Sequence, residues 1–455
     1  MKYDVIVIGA GAGGSACAAL LSARGYKTLL TEKNNWVGGK AATVEKFGHK
    51  VDLFAHLLAG GGAEVKKVLE ETGKSGTLEI IAKDPVICFV TEDGTHLGFG
   101  FEYLKDMLSG ILVDTDEELE RTYEITLDQY LKEINAPGPL RAAMNVMTLM
   151  YFVISAKYAS AGEFILSSKK IIEGDPPIGY PKGGIGKIAE TFVDTLKENG
   201  GELLRKRVEK ILVEGGRALG VRADDGSIYE GRAIVSNAGI QATVLKLVGE
   251  DHFTKEYIDR VKSLYPSLGA IRIWYFLDTK LVSEPSLVYM PTSMPSKEIR
   301  EGERNLPEPG GYVMVPSNFD PDLSPHGKQV LIATMSAPAH QKFDQKEANG
   351  WFDVLHDTVK KMIPNLEEHI EHVDYRSSDF IAKISGRDGI MDKVGGECIG
   401  LSQTPSQVGK NKPDPRSPIE GLFQVGADAG GVGIGVDLAV NSARNVSKIV
   451  SDYLK

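Results

Sequence analysis

The chain has 455 residues, 42% of them apolar and 25% charged, with 51 glycines. That is the make-up of a folded globular protein with many tight turns and room for two or three domains, and it excludes a disordered chain. Fifty-two basic against sixty-two acidic side chains leave a formal charge of -10, so there is no electrostatic footprint for a nucleic-acid partner.

In chain order, residues 3–8 form a near-continuous apolar run, which predicts a parallel strand covered on both faces. Residues 1–4 run straight into the apolar stretch 5–8, so no charged leader or signal segment is expected, and no apolar stretch reaches about 18 residues. A cytoplasmic protein is expected, with peripheral membrane contact left open. An Ala- and Leu-rich helix over 15–22 ends at Gly25, and a second strand follows over 27–31. Residues 102–172 read as mostly helical, with a charged, exposed stretch at 114–120 and a strongly apolar one at 140–154. Gly183 and Gly184 open a helix to Asn199; 203–214 and 218–224 read as a strand pair, and 233–236 returns to the first sheet. From 271 to about 380, strands such as 271–277 and 330–334 mix with a helix over 345–363. A last buried strand, 422–425, precedes a helix over 437–454.

Gly9-Ala10-Gly11-Ala12-Gly13-Gly14 fits GxGxxG between a strand and a helix. Gly9 permits the tight turn, Gly11 lets backbone approach a pyrophosphate, Gly14 lets helix pack on strand, and the helix N-terminus offers amide donors. Glu32, with Lys33 beside it, ends the second strand where a carboxylate accepts from a ribose and repels a 2'-phosphate, so NADP is disfavoured. Gly38-Gly39-Lys40 is a second close backbone approach with a cation attached. Near the far end, Gly426-Ala427-Asp428 and Gly430, Gly431, Gly433 and Gly435, followed by Val436, suit a backbone pressed against a flat ring. The three cysteines, Cys17, Cys88 and Cys398, lack a CxxC pair, so no metal site, iron-sulfur centre or redox disulfide is expected.

The segment at 38–40 resembles the GG signature of the large FAD family that includes amine oxidases, phytoene desaturases, carotenoid isomerases and retinol saturases, where an arginine usually stands in place of Lys40. Residues 180–186, Val208 and 235–238, with Asn237, resemble the central part of its phytoene-desaturase-like members. The resemblance implies an α/β fold: a Rossmann-like, glutathione-reductase-like FAD-binding domain interleaved with an α+β substrate domain. The expected FAD-binding segments are 1–75, 180–250 and 415–455. Segments 76–179 and 251–414 would bind substrate, with a helical subdomain at about 102–172. It further implies that Val208 pairs its backbone with adenine, unless it is simply a buried strand valine, and that Asp428 holds ribityl or phosphate-side hydroxyls. No second GxGxxG is present, so a separate nicotinamide domain is not expected.

The apolar run at 140–154, with Met144 and Met147, reads either as an ordinary core helix, as the lining of a hydrophobic chamber, or as a segment dipping into a membrane. His56 could be an acid, a base or packing. Arg387 could face a substrate cavity or lie on the surface. The resemblance implies an FAD-dependent oxidoreductase acting on carbon-carbon bonds of a lipophilic, isoprenoid or carotenoid-like substrate, with quinone, ferredoxin, oxygen or nicotinamide as electron partner. A flavin amine oxidase is the alternative enzyme, and a non-catalytic prenyl-binding chaperone of the GDP-dissociation-inhibitor type is the alternative of another class.

Overall fold

The structure, a computed structural model, describes residues 2–290, 310–339, 345–391 and 395–455. Its first sheet grows outward from strand Lys2–Ile8, which is almost wholly buried because helices cover it. That strand pairs in parallel with Thr28–Thr31 on one side and with Ile228–Ser236 on the other. Glu202–Leu204 extends the Thr28–Thr31 edge, and Leu422–Gln424 lies parallel to the end of Ile228–Ser236. Arg217–Ala223 and Val208–Glu214 complete seven strands as an antiparallel ribbon.

Three helices, Ala12–Ala23, Lys187–Glu198 and Gly435–Leu454, pack with this sheet. Small residues such as Ala16 and Ala19 let the first helix settle between the other two, against Phe192, Leu196, Val446 and Val450. One expectation is corrected. The run at 203–214 is not one strand: Glu202–Leu204 and Val208–Glu214 sit at opposite edges of the sheet. The chain leaves the sheet between them, where Arg205 donates to the carbonyl oxygens of Asn34 and Trp36 at 2.8 and 2.9 Å.

A second seven-stranded sheet runs Ile370–Arg376, Gly269–Leu277, Gln329–Ala337, Tyr312–Met314, Ser286–Met290, Cys88–Thr91 and His96–Gly98. Helix Gln345–Met362 covers one face, where Trp351 and Leu355 meet Ile273 and Tyr275. The alternate residues of Gly269–Leu277, among them Arg272, Trp274 and Phe276, look the other way, toward Leu53 and Phe54. Together the two sheets give the expected α/β class. The segment 291–309, within the block read as mixed strands, lies outside the described residues.

Residues 101–173 form five helices, from Phe101–Ser109 to Ala161–Glu173. The charged stretch at 114–120 becomes helix Asp116–Tyr123 because Thr115 accepts from the Glu118 amide at its start. The apolar run divides its faces. Met144 is buried among helices with Leu108 and Phe164, whereas Ala142, Val146 and Met150 line a cavity. Just past that helix, Val153 has φ 54°, a left-handed backbone costly for a β-branched residue, and it too lines the cavity. Among the described residues no helix is long and apolar enough to cross a membrane.

Candidate functional site

One cavity of about 1670 Å3 joins the two sheets. At one end, two glycine turns face each other. Gly9, at φ 91°, donates its amide to Thr31 at 2.8 Å, and Gly38, at φ 100°, donates to Ala10 at 2.7 Å. Helix Ala12–Ala23 then begins at Gly11 with neither a side-chain cap nor an acidic residue in its first turn, so nothing within the helix itself offsets its N-terminal dipole.

Glu32 is buried and accepts from the amides of Ala10 at 2.9 Å and Asn34 at 2.8 Å. Burial raises its carboxyl above the ordinary range despite these donors. Lys33 donates to the Lys383 carbonyl oxygen. Val208 enters its strand opposite Ala223 and lines the same end of the cavity.

Asn237 is the hub of this end. It donates to the Gly9 carbonyl at 3.3 Å, and the missing Cβ atoms of Gly9, Gly11, Gly13, Gly14 and Gly426 all point within 4 Å of it. A Cβ at Gly11 would stand 2.7 Å from Asn237 Nδ2, and one at Gly426 would stand 2.6 Å from Asn237 Oδ1. Gly14 and Gly426 lie outside the cavity wall and serve packing; a Cβ at Gly14 would come 2.0 Å from the Gly9 carbonyl oxygen. Thirteen of the other glycine-loop, acidic and neighbouring residues expected at a cofactor line the cavity, Gly435 and Val436 included, whereas Gly430, Gly431 and Gly433 do not; a Cβ at Gly431 would stand 2.6 Å from the Leu438 carbonyl oxygen.

Midway, the charges are paired within the protein. Asp428, 2% exposed, accepts from the amides of Ile240 at 3.0 Å and Leu401 at 3.1 Å and from Arg387 at 3.0 Å. Burial works to raise its carboxyl, but Arg387 and these amides hold it below the ordinary range. Arg387 is thus no surface residue; it bridges Asp428 and the buried Glu397, whose charges keep it protonated against burial. Lys40, expected as a phosphate-side cation, donates instead to the carbonyl oxygens of Glu397 at 3.1 Å and Ile399 at 2.9 Å. Burial, with Arg387 nearby, lowers its ammonium to about 8.

The far end is apolar, walled by Phe89, Leu104, Met107, Val146 and Met150. Among the described residues lining it there is no carboxylate. His56 stands where the two regions meet, since the amides of Phe54 and Ala55 both donate to the Lys40 carbonyl at 3.0 and 3.1 Å. Beside it Arg272, 1% exposed, donates to the carbonyl oxygens of Asp52, Leu53 and Phe54 and to Thr334 Oγ1. Arg272, Glu397, Tyr312 and Tyr151 were not singled out from sequence. A lone arginine inside the apolar strand Gly269–Leu277 was the legible signal for the first. Away from the cavity's glycine end, Cys88, His96 and Glu284 bring potential ligand atoms within 4.8 Å of one another, and His96 and Glu284 pair directly at 2.6 Å.

An uncapped helix start, opposed glycine turns that a Cβ would fill and a buried acid suit a dinucleotide, and the fold around them is that of a flavoprotein oxidoreductase. A family model described as flavin containing amine oxidoreductase matches residues 13–451, and the chain belongs to that family, as an FAD-dependent oxidoreductase. It is 25% identical to the chloroplastic prolycopene isomerase of Daucus carota, over 93% of this chain and 76% of the relative. It is 26% identical to the zeta-carotene-forming phytoene desaturase of Myxococcus xanthus, over 98% of this chain and 93% of that one. An oxidoreductase structure from Methanosarcina mazei shares the fold with a TM-score of 0.73 at 20% identity, covering 98% of this chain and all of that one.

Proposed function

We propose that this oxidoreductase acts on carbon-carbon bonds of a lipophilic, isoprenoid-like molecule, by desaturation, saturation or isomerisation. The observation that carries the reading is the continuity of one cavity from a glycine-lined end to an apolar one. Its volume, about 1670 Å3, exceeds the roughly 300 to 1,000 Å3 of a single-ligand pocket, leaving room for a cofactor and a second apolar molecule. The names of the carrot and Myxococcus relatives, an isomerase and a desaturase, support the same chemistry.

When bound, FAD supplies the hydride acceptor or donor. The chain's residues hold and orient. Gly9, Gly11, Gly13, Gly38 and Gly39 would admit the phosphates, Glu32 a ribose and Val208 the adenine, with Asn237 holding the first of these loops through the Gly9 carbonyl. Gly435 and Val436 would place the start of helix Gly435–Leu454 by the ring, where its dipole favours negative charge. On this reading residues 1–75, 180–250 and 415–455 make the FAD-binding unit, and 76–179 with 251–414 enclose the substrate. Phe89, Met107 and Met150 then exclude water from the reacting carbons.

An amine substrate would lack a counter-ion in the apolar end and would meet Arg272. Anaerobic photoreduction of the holoprotein, followed by addition of lipophilic polyenes or of amines, tests the reading. The expected result is that a polyprenoid either restores the absorbance of the reduced flavin, as a saturated product forms, or bleaches that of the oxidised flavin, as a desaturated one does. Reduction of the oxidised protein by benzylamine or putrescine, with no response to polyenes, would overturn it.

A further inference from the structure

The wall at the junction carries His56, Tyr312 and Tyr151, with Arg272 beside them. His56 is 9% exposed, and neither of its ring nitrogens has a hydrogen-bond partner. Its nearest anionic atom, Asp52 Oδ2, is 3.9 Å from Nδ1. That carboxylate is already engaged by Thr43 Oγ1 at 2.6 Å, Tyr180 OH at 2.8 Å and the Ile185 amide at 3.1 Å. Arg272, the neighbouring cation, is held by backbone carbonyls. The Tyr312 ring lies 6.1 Å from that of His56, and its hydroxyl donates to the soft Met314 sulfur at 3.2 Å. Tyr151 also lines the cavity, and burial raises the ionisation of both phenols, so they stay protonated.

Buried polar groups are nearly always paired, so a cavity-lining ring with two buried, unpaired nitrogens marks a place for a ligand atom that a small turn of the ring would reach. Burial pulls the His56 imidazole down to about 4, with Arg272 adding to it, so the ring is neutral at physiological pH. A neutral imidazole offers one donor and one acceptor. That is the complement of a hydroxyl, or in part of a carbonyl, and it is wasted on a pure hydrocarbon. A cation is opposed by Arg272, and an anion would find its guanidinium already committed.

We propose that the molecule bound in the apolar end is an oxygen-bearing isoprenoid-like lipid whose oxygen seats on His56 beside Tyr312 and Tyr151, making His56 a specificity-determining residue. This rests on the reading that the cavity takes a lipophilic substrate.

The test compares binding of geranylgeraniol with that of the same C20 skeleton lacking the hydroxyl, both titrated into flavin-loaded protein and followed by perturbation of the flavin spectrum. The alcohol is expected to bind about tenfold tighter or more, because a site built for a hydroxyl rejects its deoxy analogue. His56→Leu should erase that preference, and His56→Gln, which keeps a donor and an acceptor, should retain part of it. Equal binding of alcohol and hydrocarbon to the wild type would overturn this inference while leaving the lipophilic reading intact. A His56→Leu protein whose unliganded flavin spectrum shifts but whose preference survives would also overturn it, by assigning the imidazole to the cofactor. Binding of neither compound would sink both readings.

Discussion

Around Asn237 the absence of side chains is what the proposed cofactor site depends on. Five glycines leave their Cβ positions to one amide, so a methyl at Gly11 has to displace Asn237 from both loops. Gly11→Ala is expected to cost about 1 to 3 kcal/mol by overpacking. It should also lower flavin content sharply, read as the ratio of visible to ultraviolet absorbance beside a urea unfolding curve. His56 gives a second prediction, in pH. Its ordinary value of 6.5 falls to about 4 in the folded protein, where Asp52 and Arg272 are the charged groups facing it. The unfolded chain therefore binds the extra proton between those values. Stability present above pH 6.5 is lost as the pH falls toward 4, by on the order of 3 kcal/mol. Wild type minus His56→Leu in acid-range unfolding should show that slope; parallel curves would contradict it.

At the scale of elements, helix Gly435–Leu454 carries an opposite titration. Asp437, in its first turn, accepts from the Glu64 amide at 3.2 Å through one oxygen and has no partner for the other. Burial raises its carboxyl to about 7, with Glu64 adding to the effect. Here the folded chain binds more protons, so this contribution declines as the pH rises from about 4 to 7. Asp437→Asn should unfold at a denaturant concentration that no longer drops over that interval, relative to wild type. The elements themselves were legible where a signal is local. Strand, glycine turn and helix follow one another within 2–23, whereas the cap that Thr115 gives its helix reads only as part of a charged stretch. What else stayed hidden depends on partners distant in sequence. Glu202–Leu204 separates from Val208–Glu214 because Arg205 reaches back to the loop at 34–36, and Arg387 is buried because Glu397 and Asp428 converge on it.

For the molecule as a whole, the first sheet takes strands from 2–31, 202–236 and 422–424, and helix Ala12–Ala23 rests on helix Gly435–Leu454. Deleting residues 422–455 strips a parallel strand and a buried helix from the core containing Val440, Val446 and Val450. The truncated chain is expected to be insoluble and colourless, checked by soluble yield and visible spectrum. A soluble yellow product would show that the first two segments suffice. The same arrangement sets an order of events during synthesis. The glycine turn at 9–14 leaves the ribosome about 400 residues ahead of strand Leu422–Gln424 and helix Gly435–Leu454, which complete its surroundings. At about 5 to 20 residues per second, the half-built glycine turn waits tens of seconds for them. If the cofactor binds as proposed, its capture is thereby postponed until that strand and helix have emerged, and a cell short of riboflavin would accumulate chains that have both in place and no flavin.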